Sequence, residues 1–301
     1  MAFELSRTET GTSAARRLVR QQMQNALEAL SGRGVSDAAV HSARKDLKKG
    51  RAVLRLLRDA LTPGIYVRAN AALRDAARPL SGPRDSTVLL DQLDELVERY
   101  GAGARALPLE NLRRTLRAER TRARRALNGP VTLRRSVQSL RELHERSARW
   151  RITDHGWSVL GKGLQRVYTH AREGMTTARG KRSAENLHEW RKQMKYLWHQ
   201  LQVLQPLWPG QIGELADEAH RLADYLGDDH DLAVLRAKVV ERRELFPDPG
   251  SRGALLALID RRRTELQDKA FVLGERLLQD KPRAFAARFG RYWREWHHRE
   301  R

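Results

Sequence analysis

Two stretches of the 301-residue chain carry the same helix-forming pattern 147 positions apart. VHSARKDLKKGRAVLRLLRDAL begins at Val40 and LHEWRKQMKYLWHQLQVLQPLW at Leu187, so His41, Arg44, Lys45 and Lys48 fall opposite His188, Arg191, Lys192 and Lys195. The apolar register is shared as well: Leu47, Leu54, Leu57 and Leu61 fall opposite Met194, Leu201, Leu204 and Trp208. A further match sets LSGPRDSTVLL from Leu80 against LGDDHDLAVLR from Leu226, at an offset of 146, pairing Arg84-Asp85 with His230-Asp231. At that same offset, Arg16 and Arg20 precede the first motif as Lys162 and Arg166 precede the second. Self-similarity on this scale predicts one unit made of two halves of a common plan, residues 1–147 and 148–301.

Apolar residues recur at three- and four-residue intervals, and no β-branched alternating run of strand length stands out, so the fold class is all-α. Gly, Pro and Ser clusters punctuate the helices at Ser31 to Ser36, Thr62 to Gly64, Leu80 to Arg84, Gly101 to Pro108, Asn128 to Pro130, Pro206 to Gly210 and Phe246 to Gly253. An apolar content of 40% supplies a core for a chain of this length. The absence of cysteine excludes disulfides, thiolate metal sites and cysteine nucleophiles. No apolar run reaches the length of a membrane span, and the first residues lack a secretory apolar core, so a cytoplasmic protein is expected.

At 100° per residue, His41, Arg44, Lys45, Lys48 and Arg55 occupy roughly a 100° sector, while Leu47, Gly50, Leu54, Leu57 and Leu61 lie opposite. The second copy sets His188, Arg191, Lys192, Lys195 and His199 against Met194, Leu197, Leu201, Leu204 and Trp208. Like charges at these spacings repel by a few tenths of a kcal/mol per pair. Helix stability alone therefore does not account for the pattern occurring twice. Another stripe, Arg113, Arg117, Arg120 and Arg124, lies on a helix predicted from Arg114 to Leu127. With 58 Lys and Arg against 37 Asp and Glu, the net charge is +21, which points to an anionic partner. Guanidinium forks and lysine point charges suit a linear phosphate chain, with counterion release as the gain. Both motif histidines stand near helix starts, where the macrodipole disfavours the imidazolium form. The matching basic faces suggest that the halves appose around a shared groove, with the helices carrying Arg16, Arg20, Lys162 and Arg166 contributing.

The paired H-x-x-R-K-x-x-K helices, with the later L-x-x-x-R/H-D segments, resemble the CHAD family, the conserved histidine α-helical domains, over nearly the whole chain. The resemblance implies two pseudo-symmetric four-helix bundles with a basic central cleft that binds inorganic polyphosphate, with polyphosphate granules as a further expected partner. It implies a ligand set of His41, Arg44, Lys45, Lys48 and Lys49 in the first half and His188, Arg191, Lys192 and Lys195 in the second. Two positions depart from the repeat, Lys49 facing Tyr196 and Arg55 facing Gln202, so the first half is expected to carry more of the binding. CHAD domains are often fused to a CYTH-type tunnel barrel, but no strand-rich segment is present, so a stand-alone form is expected.

Two other readings stay open. Nucleic-acid binding is served by the charge, although base-reading and stacking features are weak. A metal-dependent phosphohydrolase is suggested by Gly227-Asp228-Asp229-His230-Asp231, yet the aligned Arg84-Asp85 cannot ligate alike; a helix-start cap with a ligand-facing or structural His230 is favoured, Asp85 and Asp231 accepting hydrogen bonds at a helix N-terminus or orienting neighbouring arginines. No phosphate-cradling Gly-rich loop, nucleophile elbow or helical metal motif occurs, so neither catalysis nor a cofactor is expected. Phe285, Phe289, Tyr292 and Trp296 recur as a buried stripe, and Trp190, Trp198 and Trp208 are read as packing residues.

Overall fold

The computed structural model describes residues 3–31, 35–62, 64–80, 82–127 and 130–298, with side chains at 82–86, 126–127 and 130–132 outside that description. Among the described residues the chain is all-α, in eleven helices: α1 (Gly11–Leu30), α2 (Asp37–Leu56), α3 (Ile65–Ala77), α4 (Gly82–Arg105), α5 (Glu110–Leu127), α6 (Pro130–Ser147), α7 (Ser158–Gly180), α8 (Ala184–Leu204), α9 (Pro209–Glu241), α10 (Pro249–Leu277) and α11 (Pro282–His298). Breaks fall at most of the Gly/Pro/Ser clusters, and further breaks at 148–157, 181–183 and 278–281 lie outside them. Gly101, at φ +63°, kinks α4 in a conformation that suits a residue without Cβ.

Both motif helices begin on a capping serine at the repeat offset. Ser36 accepts from the Ala39 N–H and Ser183 from the Asn186 N–H. His41 and His188 therefore occupy the same turn of their respective helices.

Apolar packing forms two cores. The larger takes Leu18 and Met23 of α1, Leu47 and Leu54 of α2, Trp190 and Met194 of α8, and Leu222 and Leu226 of α9. Its contacts run without interruption across the midpoint of the sequence. The smaller joins Leu93 of α4 and Leu112 and Leu116 of α5 to Leu235 of α9 and Ile259 of α10. At 1.5 Å per residue, the 33 residues of α9 span roughly 50 Å and serve both cores. The polar run Gly227–Asp231 is the seam between them: Leu226 belongs to the first core and Leu232 to the second. Within that seam the buried Asp229 accepts from Arg263 Nε at 3.0 Å and from Gln267 Nε2 at 2.8 Å.

This corrects the capping role expected of His230 and Asp231, which lie inside an unbroken helix. The Asp85 side chain lies outside the described residues. The aromatic stripe of α11 buries Phe285, Phe289, Trp293 and Trp296, whereas Tyr292 is only half-buried and donates to Gln211 Oε1 at 3.0 Å.

The two motif regions meet where α7 and α8 cross α2. A Cβ on Gly163 would lie against the Leu56 carbonyl oxygen and only 2.5 Å from Leu56 Cα and the Arg55 oxygen, all backbone atoms that cannot swing aside. Gly163→Val is therefore expected to cost about 3 kcal/mol by overpacking, read as a lowered midpoint of thermal unfolding. Gly253→Ala is the control, because nothing lies within 4 Å of that Cβ and helix propensity improves by about 1 kcal/mol. Equal midpoints for Gly163→Val and the parent chain would show that α7 and α2 do not make this approach.

Candidate functional site

α2 and α8 lie side by side, tied by the buried Gln200 side chain donating to the Ala52 carbonyl at 3.2 Å. Together with α4 and α9 they enclose a cavity of about 440 Å³. Arg44, Lys48 and Arg51 reach it from α2, and Arg191, Lys192 and Lys195 from α8. Leu89, Val234, His230 and Asp231 complete the walls with His188, Tyr196 and His199. Six basic side chains thus converge from two helices.

Each of the arginines is held in place. Arg44 donates to the Leu80 carbonyl at 2.8 Å. Arg191 lies against Gly227, where an added Cβ would approach its guanidinium to 3.2 Å, so this glycine of the seam makes room for the cation. Arg51 and Arg55 both donate to Asn70 Oδ1, at 3.2 and 3.0 Å, and share the face of Tyr196, with Arg55 at 3.8 Å and Arg51 at 5.8 Å from the ring centre. Tyr196, a departure from the repeat in sequence, is a buried platform for arginines of the other half. Three basic residues from each half line the cavity, so its lining shows none of the imbalance expected from Tyr196 and Gln202. Lys192 is shared with Glu189 at 2.8 Å.

The His188 and His230 rings face each other, centres 4.2 Å apart. Burial, then His230, Arg191 and Lys192, lower the His188 pKa to about 4. Burial, with Arg191 and Arg263, lowers that of His230 as well. His199 falls to about 3, mainly by burial, and meets Gln202 Oε1 through Nδ1 at 2.9 Å. All three imidazoles are consequently neutral near pH 7, and the cations of the cavity are Arg and Lys. Partial burial, then the charges of Glu95, Asp224 and Asp231, raise the half-buried Asp228 to about 6. Among the described residues no three His, Asp or Glu side chains converge in a metal-holding arrangement.

Several expected residues lie elsewhere. Lys45 and Lys49 line a separate hollow beside Gln22, Asn25 and Asp46, because α1 packs against that flank of α2; Lys49 rests over Phe3 at 4.6 Å. His41 is exposed on α2, one turn before Arg44 and outside the cavity lining. Arg16 donates to the Trp150 carbonyl at 2.9 Å, and Arg20 to the His144 carbonyl at 2.6 Å and Ser147 Oγ at 3.1 Å. These two close the C-terminal end of α6, where carbonyls lack helical partners. Lys162 pairs with Asp154 at 3.3 Å and Arg166 with Asp59 at 2.5 Å, again away from the cavity. The groove is thus built without the α1 and α7 residues, contrary to expectation, since carbonyls and carboxylates of adjacent segments take up their charge. Arg120 stands exposed on α5. Trp190 is fully buried, Trp198 stacks on His199, and Trp208 is partly exposed against Tyr292.

Arg51 was not anticipated, although it follows Lys48 by three residues and Arg44 by seven, the spacing of one helix face. His230 and Asp231 stand out in the sequence as the repeat partners of Arg84-Asp85, with a ligand-facing His230 among the expected roles, but their place in the wall follows from α9 running between the cores.

The CHAD domain family matches the chain over residues 14–240. Among solved structures, PptA from Streptomyces chartreusis superposes with a TM-score of 0.63 at 16% sequence identity, over 90% of this chain and 100% of that one. That likeness is one of fold. No curated protein sequence matches the chain.

Proposed function

The chain belongs to the CHAD domain family, and from that premise we propose that it binds inorganic polyphosphate in the cavity between α2 and α8, as a targeting or scaffolding module without catalysis. The observation that carries the proposal is the convergence of Arg44, Lys48, Arg51, Arg191, Lys192 and Lys195 on one cavity whose histidines are neutral. Arginine forks straddle phosphate oxygens, lysines follow a chain whose charge repeats along its length, and a neutral imidazole donates a hydrogen bond without adding charge. Granule association belongs to the same proposal, as the surface on which such a module would accumulate. No described helix is long and apolar enough to cross a membrane.

The test is affinity against salt. If the six cations contact phosphate, log Kd should vary with log salt with a slope of about 4, taking roughly 0.7 released counterions per contact as for single-stranded nucleic acid. Affinity should then fall roughly 250-fold between 50 and 200 mM salt. A flat salt response refutes electrostatic capture in the cavity. Single-stranded RNA of equal phosphate number should compete weakly, since among the described lining residues Tyr196 is the one Phe, Tyr or Trp ring and arginines already cover it. Equal competition would favour nucleic acid as the ligand.

A further inference from the structure

The face of α2 that lines the cavity continues past it toward the N-terminal end of the helix. Asp37, His41, Arg44, Lys48 and Arg51 fall within a sector of roughly 80° at 100° per residue. The cavity takes the last three of them, and His41 and Asp37 carry the same face outward by about 10 Å. At that end α5 meets α2: Arg124 pairs with Asp37 at 3.5 Å. A second contact holds the same part of α5 against α9, where Lys238, one turn beyond the wall residue Val234, pairs with Glu119 at 2.6 Å. The part-buried Lys238–Glu119 pair anchors the middle of α5 to α9, and the exposed Arg124–Asp37 contact brings its C-terminal half near the start of α2.

Arg117, Arg120 and Arg124 share one face of α5, within roughly 60° of one another, and all three are exposed. Arg120 has no ion-pair partner among the described residues, whereas Arg117 pairs with Glu110 and Arg124 with Asp37 in contacts where every side chain is more than half exposed. Such exposed pairs contribute little and exchange readily for a phosphate. Arg113 differs, being held in two contacts by Asp94 at 2.7 and 3.1 Å.

We infer that a linear polyphosphate longer than the cavity leaves it past Arg44 and His41 and continues along Arg124, Arg120 and Arg117, so that α5 makes the protein selective for long chains. This rests on the polyphosphate reading of the cavity and assigns a separate surface to chain length. A long chain gains phosphate contacts from α5 that a short one cannot reach.

The experiment compares tripolyphosphate with long-chain polyphosphate on the parent chain and on an Arg117→Gln, Arg120→Gln, Arg124→Gln variant, with thermal midpoints as the folding check. Neutralising α5 is expected to weaken long-chain binding at least about tenfold, to lower its salt slope by about 2, and to leave tripolyphosphate affinity unchanged. Unchanged long-chain affinity and slope, or equal loss for both probes, overturns the α5 track while leaving the cavity intact. If the parent chain binds neither probe, the polyphosphate reading fails and the track with it. A Lys192→Gln, Lys195→Gln variant separates the two surfaces further: both lengths should lose affinity there.

Discussion

Reversing charge at Arg44, Lys48, Arg191 and Lys195 together is expected to weaken polyphosphate binding by at least about 10³-fold, roughly 4 kcal/mol. Each charged hydrogen bond to phosphate contributes on the order of 1.5–3 kcal/mol, and neighbours in one cavity are not additive. The figure is therefore set below the sum of four such bonds. The repulsion of four added carboxylates acts in the same direction. The neutral His188, His199 and His230 cannot compensate near pH 7. Because Arg44 also holds the Leu80 carbonyl, Arg191→Glu with Lys195→Glu alone is the cleaner partner experiment, with about half the effect on a logarithmic scale. Calorimetric titration, with circular dichroism to confirm helix content, reads the result. Parent-like affinity in a folded quadruple variant removes the cavity as the binding site.

The largest stability effect is expected at Trp190, the bulkiest fully buried side chain. It stacks on Phe271 with ring centres 5.1 Å apart and fills a slot opened by two glycines. A Cβ on Gly274 would approach its ring to 2.7 Å, and one on Gly174 would come within 3.2 Å of its backbone. Trp190→Ala should cost about 3–5 kcal/mol, measured as a shift in the denaturant midpoint. The indole Nε1 is buried without a hydrogen-bond partner, so the loss is one of packing, and Trp190→Phe should be much milder. A cost below about 1 kcal/mol would mean that the slot collapses freely. Trp190 lies on the side of α8 opposite the cavity, and its seat sets the rotation that turns Arg191 and Lys195 inward. Loss of binding should thus accompany loss of stability here, whereas the charge reversals separate the two.

Much of this was legible in the sequence. The helical period, the breaks and the paired basic and apolar faces follow from residues within a few turns of one another. The two motif helices do meet, and Arg44, Lys48, His188, Arg191, Lys192 and Lys195 do share a cavity. The seam at Gly227–Asp231 was visible as an unusual polar run, but its place inside a continuous helix was not, because Gly and Asp in sequence also signal a helix start. Gly163 gave no sign of its importance, since the need for a missing side chain arises only where α2 approaches.

Local sequence by itself determined that the chain is helical, that two helices 147 residues apart carry His-x-x-Arg-Lys near their starts, and that these helices have a charged side and a core side. Tertiary structure alone decided which charges face the cavity. Lys45 and Lys49 turn toward α1, Arg16 and Arg20 close the end of α6, Lys162 and Arg166 meet carboxylates, and Arg51 enters the cavity. The physical reason is reach: an arginine or lysine on a helix surface goes to whichever acceptor the neighbouring segment presents, and that neighbour is set by packing between residues far apart in the chain.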